Sequence, residues 1–396
     1  MCQLGLGYTY LFSAILPEAT AELGWTRAQF SSGRIPYFLM TGLGGLAAGQ
    51  WTVRFGARRV LVAGALCLAG ALALLSRMQD LATYWAAQVL YGLFMAGLGD
   101  VAIAGVLTAW VQRGRGVAMG FVYAASNLAG SLMPSIFAYG VGVRGWRATL
   151  LAMGLVGGAA ILPFAWIAGR RAPVSAAAAA GARQREPAAG DRALLISEAM
   201  RTRSFWLLAT GLFCFFVFFL GMNDAFVAFM GDLGMSRSEA NALYGLATGA
   251  GGLSKLAAGF FADRLPAKLT LLADHALLVV SALLLLALPS SAALSCFLVC
   301  YGFGIAARDV VYPLVIGACF GERTMPAIYG ALMLALMVAA PLGSWISSTV
   351  RDVTGSYTPA FAGYALMNAA ALASLLFIRP ETSGARGELA ALAERA

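Results

Sequence analysis

Apolar runs long enough to cross a lipid bilayer recur along the whole chain. A helix that crosses the hydrocarbon core needs about 20 apolar residues, and we count twelve such runs in the 396 residues. Each run is expected to be helical, because a backbone in lipid has to satisfy its polar groups within the segment. The sequence therefore predicts an all-α membrane protein with twelve transmembrane helices, at about 1–20, 28–50, 59–77, 81–111, 116–141, 146–168, 204–230, 239–262, 268–288, 291–319, 326–350 and 358–378.

The composition agrees with a membrane protein and argues against several functions. Hydrophobic residues make up 60% of the chain and charged residues only 11%, whereas soluble domains are about 25% charged. The net charge of +9 lies in short loops and not on a folded basic surface, so no nucleic-acid partner is expected. Six cysteines without a CxxC pair and a single histidine predict no disulfide framework, metal or cofactor. No catalytic motif is visible, so an enzyme is not expected.

The basic residues predict the orientation of the chain in the membrane. With both termini in the cytoplasm, 18 of the 27 Lys and Arg residues face the cytoplasm and 6 face outward. Cytoplasmic loops of membrane proteins carry such an excess of Lys and Arg. The other three, Arg34, Lys255 and Arg308, lie within spans. We expect a monomeric, multi-pass protein of the bacterial cytoplasmic (inner) membrane with both termini inside.

Several landmarks recur at a spacing of 210 residues and lie on the same side of the predicted membrane in both copies. This pattern indicates two parallel six-helix repeats, as in secondary transporters. The predicted domains are a first bundle at 1–168, a cytoplasmic linker at 169–203, a second bundle at 204–378 and a cytoplasmic tail at 379–396. The landmarks are Leu23-Gly24 with Leu233-Gly234, Arg27 with Arg237, Tyr91-Gly92 with Tyr301-Gly302, and Gly145 with Gly355.

The same spacing bears on the start of the chain. Span 7 begins near Ser204, so the equivalent start of span 1 falls about six residues before Met1 at that offset. We expect either a shortened first helix or a gene that begins upstream of Met1. A cleaved signal peptide is less expected, because Met1–Leu16 has no basic n-region.

The loop that begins at Gly259 resembles a known family. Gly259-x-x-x-Asp263-Arg264 is similar to the loop signature of the major facilitator superfamily, and its first-half copy has Val53 in place of the aspartate, before Arg54. The resemblance implies a gating role for Asp263, Arg264 and Arg54. Further stretches resemble the monocarboxylate transporter and oxalate:formate antiporter branch: 22–27, 110–120, 145–147, 205–206 and 352–357.

The resemblance also implies a role for Lys255. It stands four residues before Gly259, at a position where the branch has an arginine that pairs with the substrate carboxylate. Oxalate carriers of the branch add a second cation in span 11, but the run 329–336 contains none. A dicarboxylate held by two fixed cations is therefore not expected.

Ionisable residues within spans are the other functional candidates, since such residues are costly in a membrane. We expect Lys255, Arg308, Asn127, Tyr123 and Tyr8 to bind substrate and Asp309, Asp100 and Asp224 to carry a coupled proton. The alternatives are a Lys255 that snorkels to the interface, structural ion pairs for Arg308 and Asp309, and a role in helix packing for Tyr8 and Tyr123. Arg34 reads as a gate or an interface anchor, and Asp274 and His275 read as interfacial residues.

These observations favour a secondary transporter that moves a small organic anion, a monocarboxylate, with protons by alternating access. The alternative is a proton-driven exporter of amphipathic or cationic compounds on the same fold. A membrane receptor or scaffold that has lost transport is a third interpretation. The Val53 substitution is compatible with it, and the intact Asp263-Arg264 pair opposes it.

The charge asymmetry makes a prediction about topology. Reporter proteins fused at Gly181 and at Gly384 should both report a cytoplasmic location, because both sites follow an even number of predicted spans. An external signal at either site would contradict the twelve-helix count.

Overall fold

The computed structural model describes residues 1–111, 113–168 and 194–382, so most of the predicted linker and tail lie outside the described residues. Helices occupy every predicted span. A 3-10 helix covers Gln3–Tyr10, followed by α1 Leu11–Leu23, α2 Arg27–Ser31, α3 Arg34–Phe55, α4 Ala57–Leu75, α5 Leu81–Leu98, α6 Asp100–Trp110, α7 Arg115–Arg144, α8 Trp146–Ala168, α9 Ile196–Ala199, α10 Arg203–Asp232, α11 Arg237–Gly249, α12 Gly251–Ala262, α13 Ala267–Leu286, α14 Ser291–Phe320, α15 Met325–Leu332, α16 Ala335–Thr354 and α17 Thr358–Leu375.

Eight helical stretches among the described residues are long and apolar enough to cross a membrane. Span 1 divides into a 3-10 helix and α1, and span 8 divides into α11 and α12 at Ala250, so neither forms one long helix. Span 4 is interrupted at Gly99, whose extended backbone (φ −76°, ψ −169°) makes Asp100 the first residue of α6. The number of crossings stays a prediction.

The turns between the helices lie at two opposite ends of the molecule. The linker end holds the turns at Gly56, Gly114, Asp263 and Gly321 together with α9. The opposite end holds four glycine turns in left-handed backbone regions, which glycine adopts without steric cost. These are Gly24 (φ 67°), Gly145 (φ 77°), Gly234 (φ 88°) and Gly355 (φ 73°).

Residues 1–168 and residues 204–378, the two halves of the chain, each tie their first span to a neighbouring helix in a similar way. The buried Tyr91 hydroxyl donates to the carbonyl oxygen of Tyr8, and the buried Tyr301 hydroxyl donates to that of Phe219 at 3.5 Å. At the opposite end, the Glu22 carboxylate accepts from Trp146 Nε1 at 2.5 Å and from Arg147 Nε at 2.8 Å. These contacts fix the helices that carry the polar residues described below.

The contacts of Glu22 predict a pH-dependent contribution to stability. The hydrogen bonds from Arg147 and Trp146 hold the pKa of Glu22 below its ordinary value of 4.5. A lowered pKa in the folded state contributes stability above the ordinary value, and that contribution is lost as the pH falls through the folded value. Glu22→Gln should therefore lower the melting temperature at pH 7, and the difference should shrink in acid.

The measurement is a thermal melt of purified protein across the acidic range. Glu18→Gln on the same helix is the control, and it should melt like the native chain. A Glu22→Gln deficit that stays constant down to the most acidic sample would show that the carboxylate charge does not stabilise this contact.

Candidate functional site

Lys255 lies deep between the two halves of the chain. Its side chain is 5% exposed, and Nζ lies 2.7 Å from Asp309 Oδ2. The ammonium also donates to Ser126 Oγ at 2.9 Å and to the carbonyl oxygen of Tyr123 at 3.3 Å. Lys255 thus does not snorkel to an interface, and its partner is a fixed acid on α14.

Arg308 extends the same group of charges. Its Nη2 lies 2.5 Å from Asp309 Oδ1, and its Nη1 lies 3.5 Å from Asp100 Oδ2. Nη1 also donates to the Tyr329 hydroxyl at 3.0 Å. We call Lys255, Arg308, Asp309 and Asp100 the ion cluster; it contains two cations and two carboxylates.

Aromatic side chains complete the surroundings of Arg308. The guanidinium lies 5.1 Å from the ring centre of Phe215 and 5.2 Å from that of Phe216. Such cation–π contacts are worth about 0.5–2 kcal/mol. They hold the guanidinium against α10 while its nitrogen atoms face the carboxylates.

The ion cluster crosses the boundary between the halves. Asp100 on α6 and Ser126 on α7 belong to the first half, whereas Lys255, Arg308 and Asp309 belong to the second. The contacts from Lys255 to Ser126 and from Arg308 to Asp100 therefore depend on how the halves are placed. A relative movement of the halves changes the partners of both cations.

Close backbone packing shuts the linker end of this boundary. An added Cβ at Gly120 would lie 2.4 Å from the Lys255 carbonyl oxygen, and one at Gly259 would lie 2.2 Å from that of Gly116. Between α3 and α15, an added Cβ at Gly330 would lie 2.3 Å from the Gly45 carbonyl oxygen. Real Cβ atoms do not approach so closely, so glycine is required at these crossings.

Two glycines on the other side of the cluster have open space beside them. Gly249 and Gly245 lie on α11, further from the linker end than Gly251. A Cβ atom added at either glycine would have nothing within 4 Å. The Asp100 side chain is 10% exposed and the Asp309 side chain is 14% exposed. The carboxylates of the cluster are therefore not completely enclosed, and the linker side of the boundary is closely packed.

Of the three predicted gating residues, Asp263 is the one that joins the halves. Its carboxylate accepts from the backbone N–H groups of Gly116 at 2.7 Å and Val117 at 2.9 Å, at the start of α7. A carboxylate at a helix N-terminus satisfies free N–H groups and complements the helix dipole. Arg115 and Glu322 form a second ion pair across the same end.

The other two predicted gating residues make local contacts. Arg264 donates to the carbonyl oxygen of Phe260 at 3.1 Å and stacks on that ring at 3.4 Å. Arg54 is exposed, with its guanidinium 5.2 Å from the Phe55 ring centre. Neither contact described for them reaches the other half.

The structure explains why valine is tolerated at position 53. At the 210-residue spacing, the donors used by Asp263 correspond to Pro326 and Ala327. Proline has no N–H group, and the N–H of Ala327 already donates to the carbonyl oxygen of Thr324 at 3.0 Å. A carboxylate at position 53 would therefore lack the donors that Asp263 finds.

The remaining candidates lie in different places. Tyr123 is fully buried, and its hydroxyl donates to the carbonyl oxygen of Asp100 at 3.0 Å, so it supports the cluster. Asn127 Nδ2 donates to the carbonyl oxygen of Thr248 at 3.1 Å, one turn further from the linker end. The Tyr8 hydroxyl donates to the carbonyl oxygen of Met153 at 3.2 Å, toward α8, so the structure does not bring it to the cluster. Asp224 falls within α10, but its side chain lies outside the described residues.

Sequence reasoning missed several partners of the cluster and misplaced two residues. The sequence analysis did not select Ser126, Tyr329, Phe215 or Phe216 as site residues. Among them only Tyr329 could have been noticed, because it begins the run 329–336, where oxalate carriers of the branch have a second cation. The interpretation of Asp274 and His275 as interfacial was wrong. Both are buried inside the second half, at 3% and 0% exposure, because α13 packs between α14 and α17.

Comparison with known proteins places the chain in a family. The family model described as Major Facilitator Superfamily matches residues 4–320, more than half of the chain. The chain belongs to the Major Facilitator Superfamily. The MFS-type transporter pytF of Aspergillus terreus is 26% identical over 261 residues, which cover 65% of this chain and 81% of that protein.

Solved structures of the superfamily share the fold. The E. coli fucose:proton symporter FucP superposes with a TM-score of 0.69 at 13% identity, over 96% of each chain. The proton:xylose symporter XylE gives 0.72 at 12% identity, over 96% of this chain and 94% of that one. The human organic anion transporter MFSD10 gives 0.66 at 16% identity, over 94% and 96%. The superfamily and these neighbours are transporters, not enzymes.

The contact of Asp263 with α7 makes a prediction about the gate. Asp263→Asn removes the charge that holds Gly116 and Val117, so the linker end should open more often. Loss of a negative charge at a helix N-terminus costs about 0.3–1 kcal/mol, which corresponds to about two- to fivefold more frequent opening. The measurement is thiol labelling of a cysteine placed at Ala327, which is buried on α15 against Gly49 of α3, on a chain whose own six cysteines are replaced.

Asp80→Asn is the matched control. Asp80 also caps a helix, accepting from Thr83 N at 2.7 Å, but it lies at the opposite end within one half. Its replacement should leave labelling at Ala327 unchanged. Equal labelling of the native chain and Asp263→Asn would mean that this cap does not hold the gate.

Proposed function

We propose that this member of the superfamily is a proton-coupled secondary transporter of a small organic anion, a monocarboxylate. The observation that carries the proposal is the charge balance of the ion cluster. Lys255 and Arg308 are offset by Asp309 and Asp100, so both cations already have partners. An anion enters favourably only when one carboxylate gives up its charge.

A proton supplies that change. Protonation of one carboxylate turns the cluster from neutral to a net charge of +1, in a place where an uncompensated charge costs several kcal/mol. A monocarboxylate restores neutrality by pairing with the released cation. Proton and anion thus stabilise each other's binding, which is the thermodynamic basis of symport.

Asp100 is the carboxylate that takes the proton. Asp309 has both cations within 2.7 Å, whereas Asp100 has one cation at 3.5 Å. The N-terminus of α6 favours the charged form of Asp100 by up to about 2 kcal/mol. This is less than the roughly 3–5 kcal/mol lost when a buried ion pair such as that of Asp309 is broken.

Alternating access follows from the position of the cluster. We place the linker end in the cytoplasm and treat residues 1–168 and 204–378 as two parallel six-helix repeats within a twelve-helix protein. Tyr91 and Tyr301, which make similar contacts, and the left-handed glycines recur at the 210-residue spacing and support this arrangement. The described state then faces outward, and closure of the opposite end would enclose the anion.

The substrate class rests on this chain's own charges. One proton frees one unit of positive charge, which suits one carboxylate group. The likeness to an organic anion transporter is consistent with this proposal, but at 16% identity it shows the fold alone. The same holds for the two proton:sugar symporters, at 12–13% identity.

The test is anion-induced thermal stabilisation of purified protein as a function of pH, with acetate, lactate and pyruvate as probes. In the native chain, one proton binds together with the anion. The apparent affinity for the anion should therefore fall about tenfold for each pH unit in the range where Asp100 has lost its proton. Asp100→Asn fixes the cluster at a net positive charge. Its anion binding should become independent of pH, and its uptake should no longer drive proton entry.

Two further substitutions define the outcome. Lys255→Met should abolish anion stabilisation, while Lys255→Arg should retain it because the charge is restored. In the Asp224→Asn chain, anion binding should still depend on pH. If the pH dependence is lost in that variant, the coupled proton binds to Asp224 instead. Stabilisation by organic cations that is insensitive to Lys255→Met would instead support an exporter of cationic compounds.

A further inference from the structure

A second group of titratable side chains lies inside the second half, away from the boundary. Asp274 is 3% exposed and His275 is 0% exposed, on α13. Neither carboxylate oxygen of Asp274 has a hydrogen-bond partner among the described residues. The nearest charged candidate is the neighbouring ring, with His275 Nδ1 at 3.8 Å from Asp274 Oδ2.

The hydrogen bonds of His275 fix its tautomer. Nδ1 lies 3.2 Å from the carbonyl oxygen of Leu271, and a carbonyl oxygen only accepts, so Nδ1 carries a hydrogen. Nε2 faces the Tyr312 hydroxyl at 3.5 Å. The backbone of Gly211 is a further hydrogen-bond partner of the ring, so Nε2 can accept from Tyr312 in the neutral ring or carry the proton of the charged ring.

The surroundings do not neutralise a charged Asp274. The charged side chains on the helices packed around α13 are Arg308 and Asp309 on α14 and Lys255 on α12, and the uncharged titratable side chains on these helices include Tyr312 on α14 and Tyr364 on α17. The helix α17 contains no charged residue. Lys255 and Arg308, the cations of this set, already pair with the carboxylates of the ion cluster.

We propose that Asp274 and His275 form a buried proton-binding pair that holds one proton between them. An isolated carboxylate in an apolar interior is strongly disfavoured. The proton therefore resides either on the carboxyl group beside a neutral ring or on the ring beside a carboxylate. Both arrangements have the same proton count and no net charge.

The pair lies at the depth of the ion cluster, which gives it a role in transport. Leu278 packs against Gly304 where α13 and α14 run antiparallel. One turn along each helix from that contact brings Asp274 level with Arg308. Loss of the pair's proton would leave one negative charge near Arg308, and proton uptake by Asp100 would leave one positive charge there. The two changes compensate, so the pair is suited to exchange its proton with the cluster.

The test reads protonation directly and does not depend on the substrate. Infrared spectra of the full chain in lipid nanodiscs, recorded at neutral pH in H2O and D2O, report the carbonyl stretch of protonated carboxyl groups. Asp274→Asn should remove one such absorption. Asp352→Asn, a change of an exposed carboxylate on α16, should remove none.

A second variant separates the two proton positions. If the proton resides on His275, the native chain lacks the Asp274 absorption. His275→Gln should then create it, and Asp274→Asn added to His275→Gln should remove it again. If Asp274→Asn does not fold, Asp274→Ser serves as the neutral replacement. If Asp274→Asn removes no carboxyl absorption from either the native chain or the His275→Gln chain, the proposal is wrong. This outcome does not depend on whether the chain transports an anion.

Discussion

The balance of buried charges between the two halves is the constraint on which the rest of the structure depends. Two cations and two carboxylates share a region with side-chain exposures of 5–14%. Each charge would destabilise the fold alone, because desolvation of an ion costs several kcal/mol. Together they are tolerated, and the arrangement responds to any added proton or anion. A stable resting state and sensitivity to ligands thus have the same physical origin.

The packing around the cluster is close on its linker side. Glycines on α3, α7, α12 and α15 let the backbones of opposite halves touch on the linker side of Lys255. Asp263 adds a charged cap across the same boundary. The second copy of this loop works without charge, because Pro326 and Ala327 offer no free donor to a residue at position 53. The two copies therefore close the same end through different chemistry.

The second half contains more polar chemistry than a packing role requires. Asp274, His275 and Tyr312 lie among apolar helices, and Asp274 lacks hydrogen-bond partners among the described residues. Their level along α13 and α14 places them beside Arg308. The cluster at the boundary and this pair therefore share one electrostatic environment, since charge interactions extend further in a medium of low dielectric constant.

The sequence by itself determined the class of fold, the segments that form helices and the family. Long apolar runs leave a chain in lipid no alternative to helices, and the 259–264 loop pointed to the superfamily that the family model then matched. Lys255, Arg308, Asp309 and Asp100 could be named in advance because ionisable residues are rare in such runs.

Only the tertiary structure decided which of these residues meet. Helical spacing places residues on one helix and does not fix contacts between helices. It could not show that the Tyr8 hydroxyl faces α8, that Ser126 and Tyr329 reach the two cations, or that Asp274 and His275 are enclosed. Those outcomes depend on how α7, α13 and α14 pack against their neighbours, through contacts between residues far apart in the chain.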